Sequence, residues 1–346
     1  MNRRNFLQSI SAATATLALP SCARRTAVPA SEKHIMTVRG PLRSSEMGVT
    51  LTHEHLLASF QPYDDWAKQP LAYDLDEVAE VALPHLRRIQ ELGCRTFVDA
   101  TAVGLGRDPR LLRQLSERSG LNILAATGNY AAFDNQFLRP YVYTDSPQAL
   151  AQRWIDEFEQ GIDGTDVRPG FIKLGFNGGP LSPVEQKLIR AAAIAHRKTG
   201  LPIGAHTGPA IAAFEQLAIL KEERIDPSVW IWIHAHNEQD LSRHVEAAKQ
   251  GAWISLDGIS PDSIDAHIEM LMNLRSADLL HRTLISQDAG WYWVGKPGGG
   301  EFRPFDTVFT AFVPALRSRG LTQAEIDTLL IGNPAEAFTI RFGNTI

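Results

Sequence analysis

Gly48-Val49-Thr50-Leu51-Thr52-His53-Glu54-His55-Leu56 is the stretch on which the fold turns. Its β-branched lead-in suits a strand. Side chains alternate faces along a strand, so His53 and His55 project together from its end. Neutral imidazoles placed this way are ready metal ligands. The same pair also fits two unrelated polar residues where a strand meets a loop. What decides is whether later strands end in residues of the same kind.

Seven further strand-like runs follow, at 95–99, 122–127, 170–175, 202–206, 229–234, 252–257 and 283–288. Helix-like patterns separate them. Apolar residues recur at helical spacing over 76–92, with Gly93 where a C-terminal glycine belongs. Ser146-Pro147 reads as a cap and first-turn proline for a helix running to Gly161. Ser182-Pro183-Val184-Glu185 is a capping box for a helix through Arg197, stopped by Gly200, and Thr322-Gln323-Ala324-Glu325 is a second box near the end. Further helices are expected over 210–223, 240–250 and 261–274. Short continuous apolar runs suit parallel strands covered on both faces. Eight of them in alternation with helices predict an α/β fold, the TIM (β/α)8 barrel, as one domain over 33–346.

Composition agrees. The 346 residues are 44% hydrophobic and 21% charged, the mixture of a globular chain with a large core. The net charge of -5 is spread without long like-charge blocks, which argues against nucleic acid as a partner. The two cysteines are Cys22 and Cys94. Cys94 precedes a strand and reads as a small buried hydrophobe.

Residues 1–22 read as a processing segment. Arg3-Arg4-Asn5-Phe6-Leu7 has the twin-arginine export pattern, and the uncharged stretch after it is too short to span a membrane. Leu19-Pro20-Ser21-Cys22 resembles a lipoprotein box, which would place a lipid anchor on Cys22; plain cleavage nearby is the alternative. Residues 23–32 read as a tether, and the mature protein is expected in the periplasm or cell envelope.

In a barrel of this kind the active site lies at the C-terminal ends of the strands. Those ends supply His53 and His55, Lys173, His206, His234 and Asp288. His236 also follows the sixth strand, and the strand end favours His234. Each residue has an ordinary reading as a core histidine, a surface lysine or a helix cap. Lys173 resists that reading, because Phe171-Ile172-Lys173-Leu174-Gly175 would bury an unpaired ammonium. His85, His196 and His244 fall in helices and are expected at the surface.

The chain resembles the phosphotriesterase family of the amidohydrolase superfamily, which includes phosphotriesterase-like lactonases. The matching stretches are Thr-His-Glu-His at 52–55, Val-Asp-Ala-Thr at 98–101, Gly-Leu-Gly-Arg-Asp at 104–108 and Ala-Thr-Gly-Asn-Tyr at 126–130. They continue with Gly-Phe-Ile-Lys-Leu-Gly at 170–175, Ile-Gly-Ala-His-Thr at 203–207, Ser-Gln-Asp at 286–288 and Asn-Pro-Ala at 333–335. The resemblance implies two divalent metal ions, with zinc favoured over manganese, cobalt or iron. His53, His55 and Asp288 would bind one and His206 with His234 the other. Lys173, carboxylated by carbon dioxide, would bridge them as a carbamate. A hydroxide between the metals would be the nucleophile, with Asp288 orienting it and taking its proton. Tyr130 would stand on the substrate carbonyl side.

The sequence departs from the phosphotriesterases of the family at the proton relay, where it has Asn237 and Gly258. The expected activity is therefore hydrolysis of lactones or carboxylic esters ahead of phosphotriesters. The alternatives are a phosphotriester hydrolase, a nuclease or deaminase on the same barrel, and a non-catalytic binding protein. The expected partner is a small-molecule ester, with a membrane reached only through Cys22 and a homodimer left open. The aromatic and glycine-rich stretch 290–300 reads either as a pocket wall with a lid or as loop packing.

Overall fold

The fold comes from a computed structural model, which describes residues 33–342. The export segment, Cys22 and the tether up to residue 32 lie outside the described residues. The strands in chain order are β1 (His34–Thr37), β2 (Gly40–Arg43), β3 (Thr50–Ala58), β4 (Thr96–Asp99), β5 (Asn122–Leu124) and β6 (Ala126–Thr127). They continue with β7 (Phe171–Gly175), β8 (Ile203–His206), β9 (Trp230–Ile233), β10 (Trp253–Leu256), β11 (Thr283–Ile285) and β12 (Gly290–Trp293).

Ten of these strands form a TIM barrel of eight staves. One parallel sheet runs β11-β10-β9-β8-β7-β6 and the other β12-β3-β4-β5. The third stave is split at Ala125 into β5 and β6, which pair with opposite sheets, and the eighth is split in the same way into β11 and β12. The start of the aromatic stretch is therefore a strand: Gly290 pairs with His55 and Tyr292 with Leu57.

Helices cover the outside. Leu75–Glu91 is capped by Asp74, whose carboxylate accepts from the N–H groups of Asp76 and Glu77. Its buried face is Val78, Ala79, Ala82, Leu83, Leu86 and Ile89, the three-and-four spacing of an amphipathic helix. Ser146 caps Pro147–Gln160, and both expected capping boxes form, at Ser182 with Glu185 and at Thr322 with Glu325. Inside the barrel a second apolar cluster includes Val98, Leu124, Phe171, Ile231, Trp253 and Leu284.

The antiparallel hairpin of β1 and β2 is absent from the sequence reading. It is tied to the barrel by Val38 N–H donating to the Ile123 carbonyl, and Ile35 reaches the interior cluster. Two histidines expected at the surface are buried instead. The imidazole of His196 bonds the Leu201 carbonyl at 2.8 Å and that of His244 the Ala235 carbonyl at 2.8 Å. Each hydrogen bond offsets part of the cost of burying the ring by satisfying one of its two nitrogens. His85 is half-buried and stacks on Phe302. Cys94 is buried as expected.

Candidate active site

The strand ends converge as the sequence reading requires. His53, His55, Tyr130, Lys173, His206, His234 and Asp288 line one cavity of about 220 Å³, together with Phe60, Leu105, Phe133 and Trp291. His236 does not line it. The side chain of His236 turns toward Gly258, and its Nδ1 lies 3.3 Å from Asp257 Oδ1.

Asp257 organises the ligands. Its Oδ2 lies 3.1 Å from His53 Nδ1 and its Oδ1 lies 2.8 Å from His234 Nδ1. An ionised carboxylate only accepts, so both imidazoles carry their proton on Nδ1. Burial opposes the charged form of Asp257, but His234 and His53 hold its pKa well below the usual carboxylate range. Thr101 Oγ1 donates to the Leu57 carbonyl at 3.5 Å and so accepts from His55 Nδ1 at 2.8 Å. With protons on Nδ1, the Nε2 lone pairs of His53 and His55 face each other at 3.2 Å. Asp288 Oδ1 stands 3.2 Å from His55 Nε2 and 3.7 Å from His53 Nε2, buried and with no hydrogen-bond donor.

Three acceptor atoms facing one another repel unless a cation lies among them. Two nitrogen ligands of a tetrahedral zinc sit roughly 3.3 Å apart at ordinary Zn–N lengths, close to the His53–His55 spacing. The donor set of His53, His55 and Asp288 therefore fits a divalent metal ion. His53 and His234 also group with Asp257, but through the Nδ1 atoms, which the carboxylate already occupies. That makes Asp257 a support for ligands rather than a ligand.

Lys173 projects from β7 into the same space. It is 1% exposed, and its Nζ lies 3.4 Å from His53 Nε2. Burial lowers its pKa to about 8, against the pull of Asp288 and Asp257. Burial also brings the His53 imidazole down to about 3, with the Lys173 charge adding to the effect, and holds His206 well below its ordinary value. Burial works against charge on His234 too, but Asp257 beside it raises its pKa above the usual value. A cation at its Nε2 would displace that proton.

Tyr130 closes the other side. Its hydroxyl lies 2.9 Å from His206 Nδ1, and its ring packs where a side chain at Gly175 would stand, 2.3 Å from a Cβ there. Burial and the charge of Asp288 push the phenol well above its ordinary pKa, so Tyr130 stays a hydrogen-bond donor.

Two acidic residues escaped the sequence reading. Asp257 ends the seventh stave just as the proposed ligands end theirs, so the strand-end rule could have found it. Glu54 lies between the two histidines on the opposite face of β3. It accepts from Ser286 Oγ at 2.7 Å, Gln287 N at 3.1 Å and Ala289 N at 2.7 Å, which pins the segment carrying Asp288. Burial pushes its carboxyl up to about 8, against those three donors.

With this geometry in hand, the comparisons with known proteins are specific. Residues 33–338 match the phosphotriesterase family. The chain is 33% identical over 295 residues to the phosphotriesterase homology protein of Escherichia coli, spanning 84% of this chain and 98% of that protein. It is 30% identical over 314 residues to the aryldialkylphosphatase of Saccharolobus solfataricus, spanning 86% and 97%. A solved mutant of a PTE-like lactonase from Deinococcus radiodurans is similar with a TM-score of 0.78 and 29% identity, covering 88% of this chain and 99% of that one. A barrel, a convergent His and Asp donor set and a match along nearly all the described residues agree: this chain is a hydrolase of the phosphotriesterase family.

Proposed function

We propose that the chain hydrolyses lactones and other carboxylic esters with two divalent metal ions, zinc foremost. His53, His55 and Asp288 would hold one ion, and His206 with His234 the other. Lys173, carboxylated on Nζ, would bridge them. The observation that supports this best is the set of inward-facing lone pairs on His53, His55 and Asp288, whose one nearby donor among the described residues is Lys173 Nζ, 3.4 Å from His53 Nε2. Lys173 adds to it. Burial of the Lys173 ammonium is costly even with His53 Nε2 as an acceptor 3.4 Å away, and at a pKa of about 8 roughly a tenth of the amine is neutral at pH 7. The neutral nitrogen could add to carbon dioxide with loss of one proton, and the carboxylate so formed would supply oxygen ligands to a divalent metal ion.

When bound, the ions would polarise an ester carbonyl and make water nucleophilic near neutral pH. Asp288 would accept the proton from that water and return it to the departing alkoxide. Tyr130 would donate to the carbonyl oxygen as negative charge develops there. Phe60, Phe133 and Trp291 wall the cavity and limit water.

Ester hydrolysis is put ahead of phosphotriester hydrolysis because the residues at the relay positions, Asn237 and Gly258, are not suited to carry a proton away from Asp288. Position 258 is glycine, Asn237 cannot accept and release a proton, and Asp257 is engaged with two imidazoles. The similarity to an aryldialkylphosphatase favours phosphotriesters as the second reading. The test is a turnover screen of metal-loaded protein with lactones, aryl esters and phosphotriesters. Ester or lactone turnover in the lead supports the proposal; phosphotriester turnover with every ester inert overturns it.

A further inference from the structure

We infer that the ester taken by this site carries a carboxylate at the distal end of an apolar body. The inference rests on the hydrolase reading above and extends it to the chemistry of the substrate. A second chamber of about 560 Å³ adjoins the cavity of the candidate ligands, and Phe60, Phe133 and Trp291 wall both. That volume suits a small organic molecule. Its shared wall is aromatic, so the part of a substrate next to the scissile bond would be apolar.

Lys296 and Arg303 line the second chamber and not the first. The Lys296 ammonium lies 3.9 Å from the ring centroid of Trp293 and has no ion-pair partner among the described residues. Arg303 Nη1 donates to the Asp288 carbonyl at 3.0 Å and its Nη2 to the Gln287 carbonyl at 3.2 Å. Those bonds fix the guanidinium against the chamber wall and use two of its five N–H donors, leaving three. No carboxylate neutralises it among the described residues. Both side chains are exposed, so neither is sealed from a ligand. Glu301 is the one acid in the lining, which leaves this wall with a surplus of positive charge on a chain whose net charge is -5. A fixed guanidinium fork beside an ammonium is complementary to a carboxylate. A neutral apolar tail would leave both cations unused.

The test uses two matched pairs of compounds on the metal-loaded full chain. Phenoxyoctanoic acid and octyl phenyl ether are not hydrolysable and are compared by tryptophan fluorescence titration. The phenyl half-ester of octanedioic acid and phenyl octanoate share a leaving group and are compared by turnover. The acid is expected to bind about tenfold more tightly than the ether at low salt, with the advantage shrinking as salt rises. The half-ester should show the same preference, mainly through KM. Lys296→Glu should abolish the preference in both pairs. Equal binding of acid and ether overturns the inference. So does a preference that Lys296→Glu leaves untouched, because the carboxylate would then sit elsewhere. If neither ester turns over, the hydrolase reading fails, while the binding pair still decides whether the chamber selects a carboxylate.

Discussion

The indole of Trp291 lies flat on the imidazole of His55, with ring centroids 4.0 Å apart and 26° between the planes. Trp291 holds this place from a backbone φ of 75°, in the left-handed region that bulky residues avoid at a cost of about 1–3 kcal/mol. Its indole N–H donates to the Asp288 carbonyl at 2.9 Å, and Phe60 stacks on it at 5.3 Å. The strain is therefore spent where one ring fixes a proposed ligand and contacts the segment of another.

Trp291→Ala should weaken metal binding by about tenfold, the scale at which groups supporting ligands act, read by chelator competition. Trp291→Gly should lose the same affinity yet melt at a higher temperature than Trp291→Ala, because glycine accepts a positive φ. Unchanged metal affinity in both variants would remove this role from Trp291.

Asp257 makes a sharper case, since one carboxylate serves two imidazoles from different staves. An asparagine there offers one acceptor oxygen and a donor where an acceptor is needed. Asp257→Asn should reduce metal affinity by about ten- to a hundredfold with the circular dichroism of the barrel retained. Full metal occupancy at stoichiometric zinc would count against the arrangement.

The parts of this molecule that could be read from sequence are those written in a local period. His53 and His55 share a strand face, and Lys173 stands out in an apolar run. The splits in two staves could not be read, because they depend on which sheet each half joins. The eighth is broken by Asp288 at φ 47°, Gly290 at φ 97° and Trp291 at φ 75°, a path no apolar pattern encodes. His234 sits just past β9 at φ 63°, so its place at the strand end was legible but its turn was not. His196 and His244 misled because helical spacing does not show that a carbonyl just outside the helix, at Leu201 and at Ala235, meets each ring.

Cys94 offers a pH prediction. Burial pushes its thiol from 9.0 up to about 12, so the native side chain stays protonated where an unfolded cysteine ionises. The unfolded chain therefore binds fewer protons than the native one between those values, and stability falls as pH rises through that window. A Cys22→Ser protein should resist a thiol reagent at pH 8 until denaturant unfolds it. Rapid native labelling would mean that Cys94 is accessible.

The last prediction concerns the proton. His53 and His55 hold the Asp288 carboxyl well below the usual carboxylate range against the effect of its burial, so it is ionised before reaction. On the proposed mechanism a lactone's alkoxide is a poor leaving group that stays tethered, and Asp288 would give it the proton taken moments earlier. A phosphotriester with a good leaving group has no such need, and on the same proposal its fast turnover would depend on removing that proton, a task to which Gly258 and Asn237 are not suited. The kcat/KM should therefore be higher for lactones or activated carboxylic esters than for phosphotriesters. Asp288→Asn should lower kcat by orders of magnitude with the fold intact. Tyr130→Phe, which deletes the hydroxyl 2.9 Å from His206 Nδ1, should lower ester kcat by about ten- to a hundredfold, equivalent to roughly 1.4–2.7 kcal/mol of transition-state stabilisation. Because a lost donor acts where charge develops, its effect should fall on kcat with KM little changed. Equal loss across esters and phosphotriesters, carried by KM, would show that Tyr130 shapes the pocket and does not assist the carbonyl.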